Sequence, residues 1–362
     1  MLVVAVLVFL LAQAPADNSA SPAPQPPTPQ LSASEISQLK AKAKSGDAAA
    51  QLSLGMAYEK GNGVAQNDTA AADWYRKAAE QGNSAAQNNL GIMYRMGSGV
   101  PKDMAEAVKW YRKAARQKNA NAMFNLGAAY YNGDGLGIDD TSAFAWFLLA
   151  QEAGSKSGDE AVKRMENDLP KENLDAFVRI GEMYEKGIDL PQNYDECVKW
   201  YGKADESGSI PATLHLAGMY LNGSGVERDY GKSMLLCEKA ANKEVMQGQY
   251  CLGKIYEKGL GVSEDNSVAS KWFQKAAEKG HGDSMMSLAG LFMKGNGNQL
   301  SRPDAFFWFL NARLAGVAGA KEKSVEVWKE MSAQEQKESL KKLHTKRSLD
   351  PKKVIAFMEA QN

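Results

Sequence analysis

The side chains able to do covalent chemistry fall in a few places. Ser37-Gln38-Leu39-Lys40 and Ser339-Leu340-Lys341-Lys342 each set a serine three residues before a lysine. On a helix that spacing is one turn, so the amine could take the hydroxyl proton and leave a nucleophilic oxygen. Both pairs lie in polar segments near the chain ends, and neither is joined by a Ser-Asp-Asn or Lys-Thr-Gly element. Chance is the better account of both. His215, His281 and His344 lie far apart and form no HExxH-like pattern. Cys197, Cys237 and Cys251 are too few and too spread for a zinc finger or a disulfide-dense scaffold. The expectation is no catalytic residue, no metal and no cofactor. Gly-x-Gly occurs at Gly61/Gly63, Gly97/Gly99, Gly133/Gly135, Gly223/Gly225, Gly259/Gly261 and Gly295/Gly297. One such loop alone would suggest a phosphate cradle. Six at one phase, each between two helical segments and none after a strand, are connectors.

The phase belongs to a repeat. Tyr58, Tyr94 and Tyr130, then Tyr184, Tyr220, Tyr256 and Phe292, recur every 36 residues, with one step of 54 between Tyr130 and Tyr184. A period of this size predicts stacked units that each bury an apolar face on the next. In the unit around Tyr94 the first helix is expected over residues 84–96, with Ala86, Leu90 and Tyr94 on one stripe. Gly91 sits in mid-helix, where glycine costs roughly 1 kcal/mol against alanine. Its recurrence at Gly55, Gly127, Gly181 and Gly253 implies close approach of a neighbouring helix. The second helix is expected over 104–116, capped by Asp103, with Ala107, Trp110, Tyr111 and Ala114 inward. Trp74-Tyr75, Trp110-Tyr111, Trp146-Phe147, Trp200-Tyr201, Trp272-Phe273 and Trp308-Phe309 repeat the aromatic pair, so these rings are core. Two units depart. One has Gly187-Ile188-Asp189, where a different turn is expected, and another has Leu236-Cys237 for the aromatic pair.

The combination Ala-x3-Leu-Gly-x2-Tyr, Gly-x-Gly-Val and Ala-x2-Trp-Tyr-x-Lys-Ala-Ala resembles the Sel-one-like repeat family, a relative of the tetratricopeptide repeats. Seven copies cover about 46–153 and 172–315. The resemblance implies an all-α fold, an α/α superhelix that serves as an adaptor for protein or peptide partners. By analogy with tetratricopeptide grooves, the partner would meet the first helices at positions such as Asn88, Arg95, Phe124, Tyr131, Glu182, Glu185, Tyr250 and Glu257. Phe124 and Tyr250 stand at positions that are usually apolar and pack. Some cysteine-rich secreted relatives are linked to β-lactam binding or hydrolysis. A cell-wall-directed hydrolase of the penicillin-recognising kind is therefore the alternative function, weakened here by the absence of regular cysteine pairs.

The segments outside the repeats have their own signals. Residues 1–16 open with about a dozen apolar residues, followed by small ones, which reads as a signal peptide cut after Ala14 or, preferably, Ala16. The alternative is a membrane anchor at 2–12. Export, to a bacterial periplasm or the medium, is expected. Residues 17–30 are a Pro-rich, disordered spacer. Ser32 and Glu35 form a capping box that opens a terminal helix within 31–45. Residues 154–171 add one helix, near 159–167, and Pro170 suits the first turn of the next. An odd helix should disturb the alternation and put a kink or lobe boundary near 154–172. The apolar run of 142–154 recurs at 304–316, a cap-type unit used twice. Within 316–362, Ser332 and Glu335 cap one helix and Pro351 opens another, with a basic cluster between.

Lys+Arg and Asp+Glu both total 43, so the chain has no electrostatic footprint for nucleic acid or anionic lipid. Membrane contact is expected only through the first segment, if uncleaved. Cys237, late in one second helix, and Cys251, in the next first helix, are nearly equidistant from the turn near Lys243. In an oxidising compartment they could bond; otherwise they are two small buried thiols. Cys197 replaces the packing alanine seen at Ala71 and Ala107, and reads as buried.

Overall fold

The computed structural model describes residues 30–168 and 172–359. The segment expected as signal or anchor, the spacer up to residue 29, and Pro170 lie outside the described residues. Those described hold nineteen α-helices and no strand. Helix α1 (Ala33–Lys44) carries the capping box, with Ser32 and Glu35 each bonded to the other's backbone nitrogen. It packs on the first of three helix pairs: α2 (Ala48–Lys60) with α3 (Asp68–Glu80), α4 (Ser84–Met96) with α5 (Met104–Ala115), and α6 (Ala120–Asn132) with α7 (Asp140–Glu152). Helix α8 (Lys156–Asp168) is the added one, and α9 (Glu172–Lys186) precedes α10 (Tyr194–Glu206). Three further pairs follow: α11 (Ile210–Asn222) with α12 (Tyr230–Asn242), α13 (Met246–Lys258) with α14 (Asn266–Glu278), and α15 (Gly282–Lys294) with α16 (Arg302–Leu314). The chain closes with α17 (Ala320–Glu330), α18 (Ala333–Arg347) and α19 (Pro351–Glu359).

The pairs share their local chemistry, except that α13 opens at Val245 without a side-chain cap. Asp47, Asn83 and Asn119 cap their first helices through a side-chain oxygen that accepts a backbone N–H three residues on. Gly97 ends α4 in the left-handed conformation (φ 76°), and Gly99 repeats it (φ 68°) where a side chain would collide with the backbone at Asp68. In the departing unit Asp189 takes that left-handed place (φ 63°), so the turn keeps the common form rather than differing. Arg112 compensates by holding the Asp189 carboxylate at 3.0 Å.

The mid-helix glycine also has its cause. A Cβ on Gly91 would stand 2.6 Å from the Tyr111 ring, so the close neighbour is the aromatic of the unit's own second helix. Ala107, Trp110, Tyr111 and Ala114 are buried as the stripe requires. Lys113 covers the outer face of Trp110, 3.8 Å from the ring centre, and Lys77 does the same for Trp74 at 4.0 Å. Gln87 donates to Ala79 O (3.0 Å) and accepts from Gln117 (2.8 Å), a link that Gln51 and Gln81 make one repeat earlier. These bonds satisfy amides that burial would otherwise strand.

Helices α7 and α16 are buried on every side from Ser142 to Ala150 and from Ala305 to Ala312, runs in which Ser142 and Asn311 are the polar side chains. A helix of that kind needs cover all round. Helix α7 meets α6, α8 and α9, and α16 meets α15, α17 and α18. This arrangement absorbs the odd helix within one body. The chain divides into two compact units between Trp200 and Tyr201. Helix α17 has no counterpart in the sequence expectations. Its buried stripe, Ala320, Ser324, Val327 and Trp328, is half small or polar and so shows no apolar period.

Candidate partner-binding surface

The residues with chemical potential are held in structural roles. Ser339 is fully buried in α18, where its hydroxyl donates to Glu335 O at 2.9 Å. Lys342, the lysine of that pair, is ion-paired with Asp304, and burial lowers its pKa. Ser37 is exposed on α1, and Lys40 stands 5.7 Å over the Tyr58 ring. His281 caps α15 by accepting from the Ser284 N–H (3.2 Å), and burial holds its pKa below the usual value. His215 stacks on Tyr201 with ring centres 4.7 Å apart. Among the described residues no three His, Cys, Asp or Glu side chains are grouped to hold a metal ion, and no helix is long and apolar enough to cross a membrane.

Cys237 and Cys251 are joined by a disulfide between α12 and α13, with Cα atoms 5.9 Å apart. Cys237 sits with Ala217, Leu252 and Ile255, where an aromatic pair packs in other repeats. Cys197 is buried, and its thiol is pushed up to about 12 by burial first and by the negative charge of Glu185 second.

The groove positions named from the sequence divide by environment. Asn88 and Phe124 are buried, Phe124 against the Phe147 ring at 5.4 Å. Asn88 sits where Leu52 and Phe124 stand in the flanking repeats. Its amide oxygen survives burial by accepting from Asn125 Nδ2 at 2.9 Å. Tyr250 is wedged between Phe273 (5.8 Å) and His281 (4.8 Å). Glu182 lies 3.8 Å from both Arg179 and Lys186, and Glu257 pairs with Lys254 on its own helix. Arg95, Tyr131 and Glu185 are half-buried.

Arg95 stands with three residues that the groove expectation lacked: Tyr111, Asn125 and Asp134 line a cavity of about 10 Å³ with it. That is room for one water molecule. Burial raises the Tyr111 hydroxyl to about 12, and the Arg95 charge opposes the rise. Asn125 was detectable in principle, because Asn89 and Asn125 hold the same phase before Leu90 and Leu126.

A Sel1 repeat model matches residues 48–83, 84–119, 120–155, 176–209, 210–245 and 247–281. The chain belongs to the Sel1 repeat family. Six repeats match where the aromatic markers count seven. The seventh is the α15–α16 pair, whose second helix has WFLNARL in place of the WYxKAA ending. Among solved structures, a protective antigen of uropathogenic Escherichia coli displaying an SLR fold is 35% identical, with 84% of this chain and 70% of that one covered and a TM-score of 0.44. A Sel1 repeat protein from Oxalobacter formigenes is 29% identical over 80% of this chain and 78% of its own, with a TM-score of 0.40. No curated protein matches. Sel1 repeats commonly mediate protein–protein interaction.

Proposed function

We propose that this Sel1 repeat chain is a non-catalytic adaptor, exported by way of residues 1–16, that holds protein or peptide partners on its first-helix surface. The observation that carries the reading is how the side chains are used. The buried serine of one Ser-x-x-Lys pair, two of the histidines and all three cysteines serve packing, capping or cross-linking. Arg95, Tyr131, Glu182, Glu185 and Glu257 remain half-exposed on first helices of the array. Conserving helix geometry while varying such positions is how repeat arrays gain specific partners.

Cross-linking pull-down from the exported fraction of the native host tests the adaptor, comparing the full chain with Arg95→Ala/Tyr131→Ala. Loss of partner recovery in the variant is expected, and unchanged recovery would sink the groove. Cell fractionation reads the export: the chain should appear outside the cytoplasm, shortened by residues 1–16. Labelled penicillin should leave the protein unmarked. Covalent labelling that vanishes in Ser37→Ala would overturn the non-catalytic reading.

A further inference from the structure

Tyr111 buries a hydrogen-bond donor that nothing in the chain accepts. The residue is 1% exposed, and neither its hydroxyl nor Arg95 Nε has a hydrogen-bond partner. Both side chains line the cavity of about 10 Å³ that they share with Asn125 and Asp134. A buried hydroxyl left unbonded is costly, so the acceptor it is set up to meet has to be sought.

The first repeat shows what the place requires. Tyr75 stands one period before Tyr111, and its hydroxyl donates to the Glu59 carboxylate. Glu59 aligns with Arg95, and Ser98 aligns with Asp134. The second repeat therefore exchanges the acceptor for a guanidinium, which carries N–H donors only. However closely Arg95 approaches the hydroxyl oxygen, it can only donate to it, and the hydroxyl proton stays unclaimed. Asn125 is held elsewhere, because its Nδ2 donates to Asn88 Oδ1 at 2.9 Å.

The shape and charge of the cavity select the occupant. Tyr111 lies at the buried end, and Arg95, Asn125, Asp134 and Met104 form a half-buried rim. The space admits one oxygen atom, the size of the water molecule that fits it in the free chain. Its lining holds one cation, Arg95, and one anion, Asp134. A group that satisfies all of it brings an acceptor oxygen to Tyr111 and Arg95 and a donor to Asp134. A carboxylate brings the oxygen but meets Asp134 with like charge, and an ammonium meets Arg95 with like charge and brings no acceptor. A primary amide supplies both, on separate atoms.

We propose that this cavity receives the side-chain carboxamide of a glutamine or asparagine of the partner. Its oxygen accepts from the Tyr111 hydroxyl and from Arg95 Nε, and its amine donates to the Asp134 carboxylate at the rim. A side-chain amide ends a flexible stem and can enter a hole one oxygen wide, whereas a backbone carbonyl is flanked by chain on both sides. The proposal rests on the adaptor reading and names the side chain that this part of the surface selects.

The test uses the full chain with isotope-labelled methionine methyls and follows the Met104 signal by nuclear magnetic resonance, assigned with Met104→Leu. Propionamide is the probe, and propionate and propanol at equal ionic strength are the controls. Propionamide should shift the Met104 signal saturably, with both controls binding at least about fivefold more weakly. Tyr111→Phe, which keeps the ring, should weaken propionamide about three- to tenfold. Arg95→Glu restores the pairing of the first repeat, gives the hydroxyl an acceptor within the chain, and should abolish the shift. Asp134→Asn should reverse the order of propionamide and propionate. Circular dichroism melting checks that each variant is folded. Arg95 and Asp134 are half-exposed, so their variants carry the test if Tyr111→Phe melts early. Equal binding of either control, no saturable shift with propionamide, or an unchanged response in Arg95→Glu would overturn the proposal. If propionamide fails while Arg95→Ala/Tyr131→Ala still loses its cross-linked partners, the amide site is refuted and the adaptor stands. If the wild-type chain recovers no partner, the adaptor reading fails and the proposal falls with it.

Discussion

Opening the Cys237–Cys251 bridge tests the second unit quantitatively. The two cysteines are 14 residues apart in sequence and tie α12 to α13. Cross-linking a loop of that length removes unfolded-chain entropy worth about 3 kcal/mol at 25 °C. For a unit of this size each kcal/mol moves the melting midpoint by roughly 2–4 °C, so reduction should lower it by about 6–12 °C. The clean comparison is oxidised against reduced protein in a Cys197→Ala background, where no third thiol can exchange. Mass spectrometry after alkylation confirms the redox state, and calorimetry reads the transition. Hydrogen exchange should place the lost protection in α12 and α13 first, because nearest neighbours share the core of a repeat array. A reduced chain melting within about 2 °C of the oxidised one would refute the loop-closure reasoning.

Outcomes at four further sites follow from the packing. Gly91→Ala should destabilise by about 1–3 kcal/mol despite the helix-propensity gain, because its Cβ meets Tyr111. Gly218→Ala in α11, with nothing within 4 Å, should stabilise by about 0.5–1 kcal/mol, both measured by urea unfolding. The Cys197 thiol is raised from 9.0 to about 12, so its contribution is complete below pH 9 and is lost as pH climbs toward 12. Stability against pH should fall across that window, and Cys197→Ala should flatten the fall. Asp189→Gly should change stability by under about 1 kcal/mol, since relief of the left-handed backbone offsets the half-exposed ion pair with Arg112. Asp189→Ala, which loses the pair and keeps the backbone cost, should be the less stable of the two.

Most of the array was legible because its contacts are local. The Ser32 and Ser332 capping boxes, the Gly97 helix end and the inward face of α5 all arise between residues a few positions apart or one repeat apart. A 36-residue period reports such contacts directly. The groove was read less well. Asn88 looked available and is buried, because its hydrogen bond runs to Asn125 in the next repeat and lies outside any single-unit pattern. Helix α17 escaped because Ser324 occupies a core position and hides the stripe.

The sequence by itself determined the repeat, the helix pairs, their caps and turns, and the role of the aromatic pairs as core. Each of these follows from backbone propensity and from apolar spacing at 3.6 residues per turn, which any stretch of chain carries with it. Tertiary structure alone decided which polar residues stay accessible, how the added helix is absorbed beside α7, and that Tyr111 and Arg95 line one cavity with no acceptor for the hydroxyl. Those outcomes depend on how far one helix covers another across a long stretch of intervening chain. Hydrophobic burial is non-directional, so composition records how much apolar surface there is and leaves open which neighbour covers it.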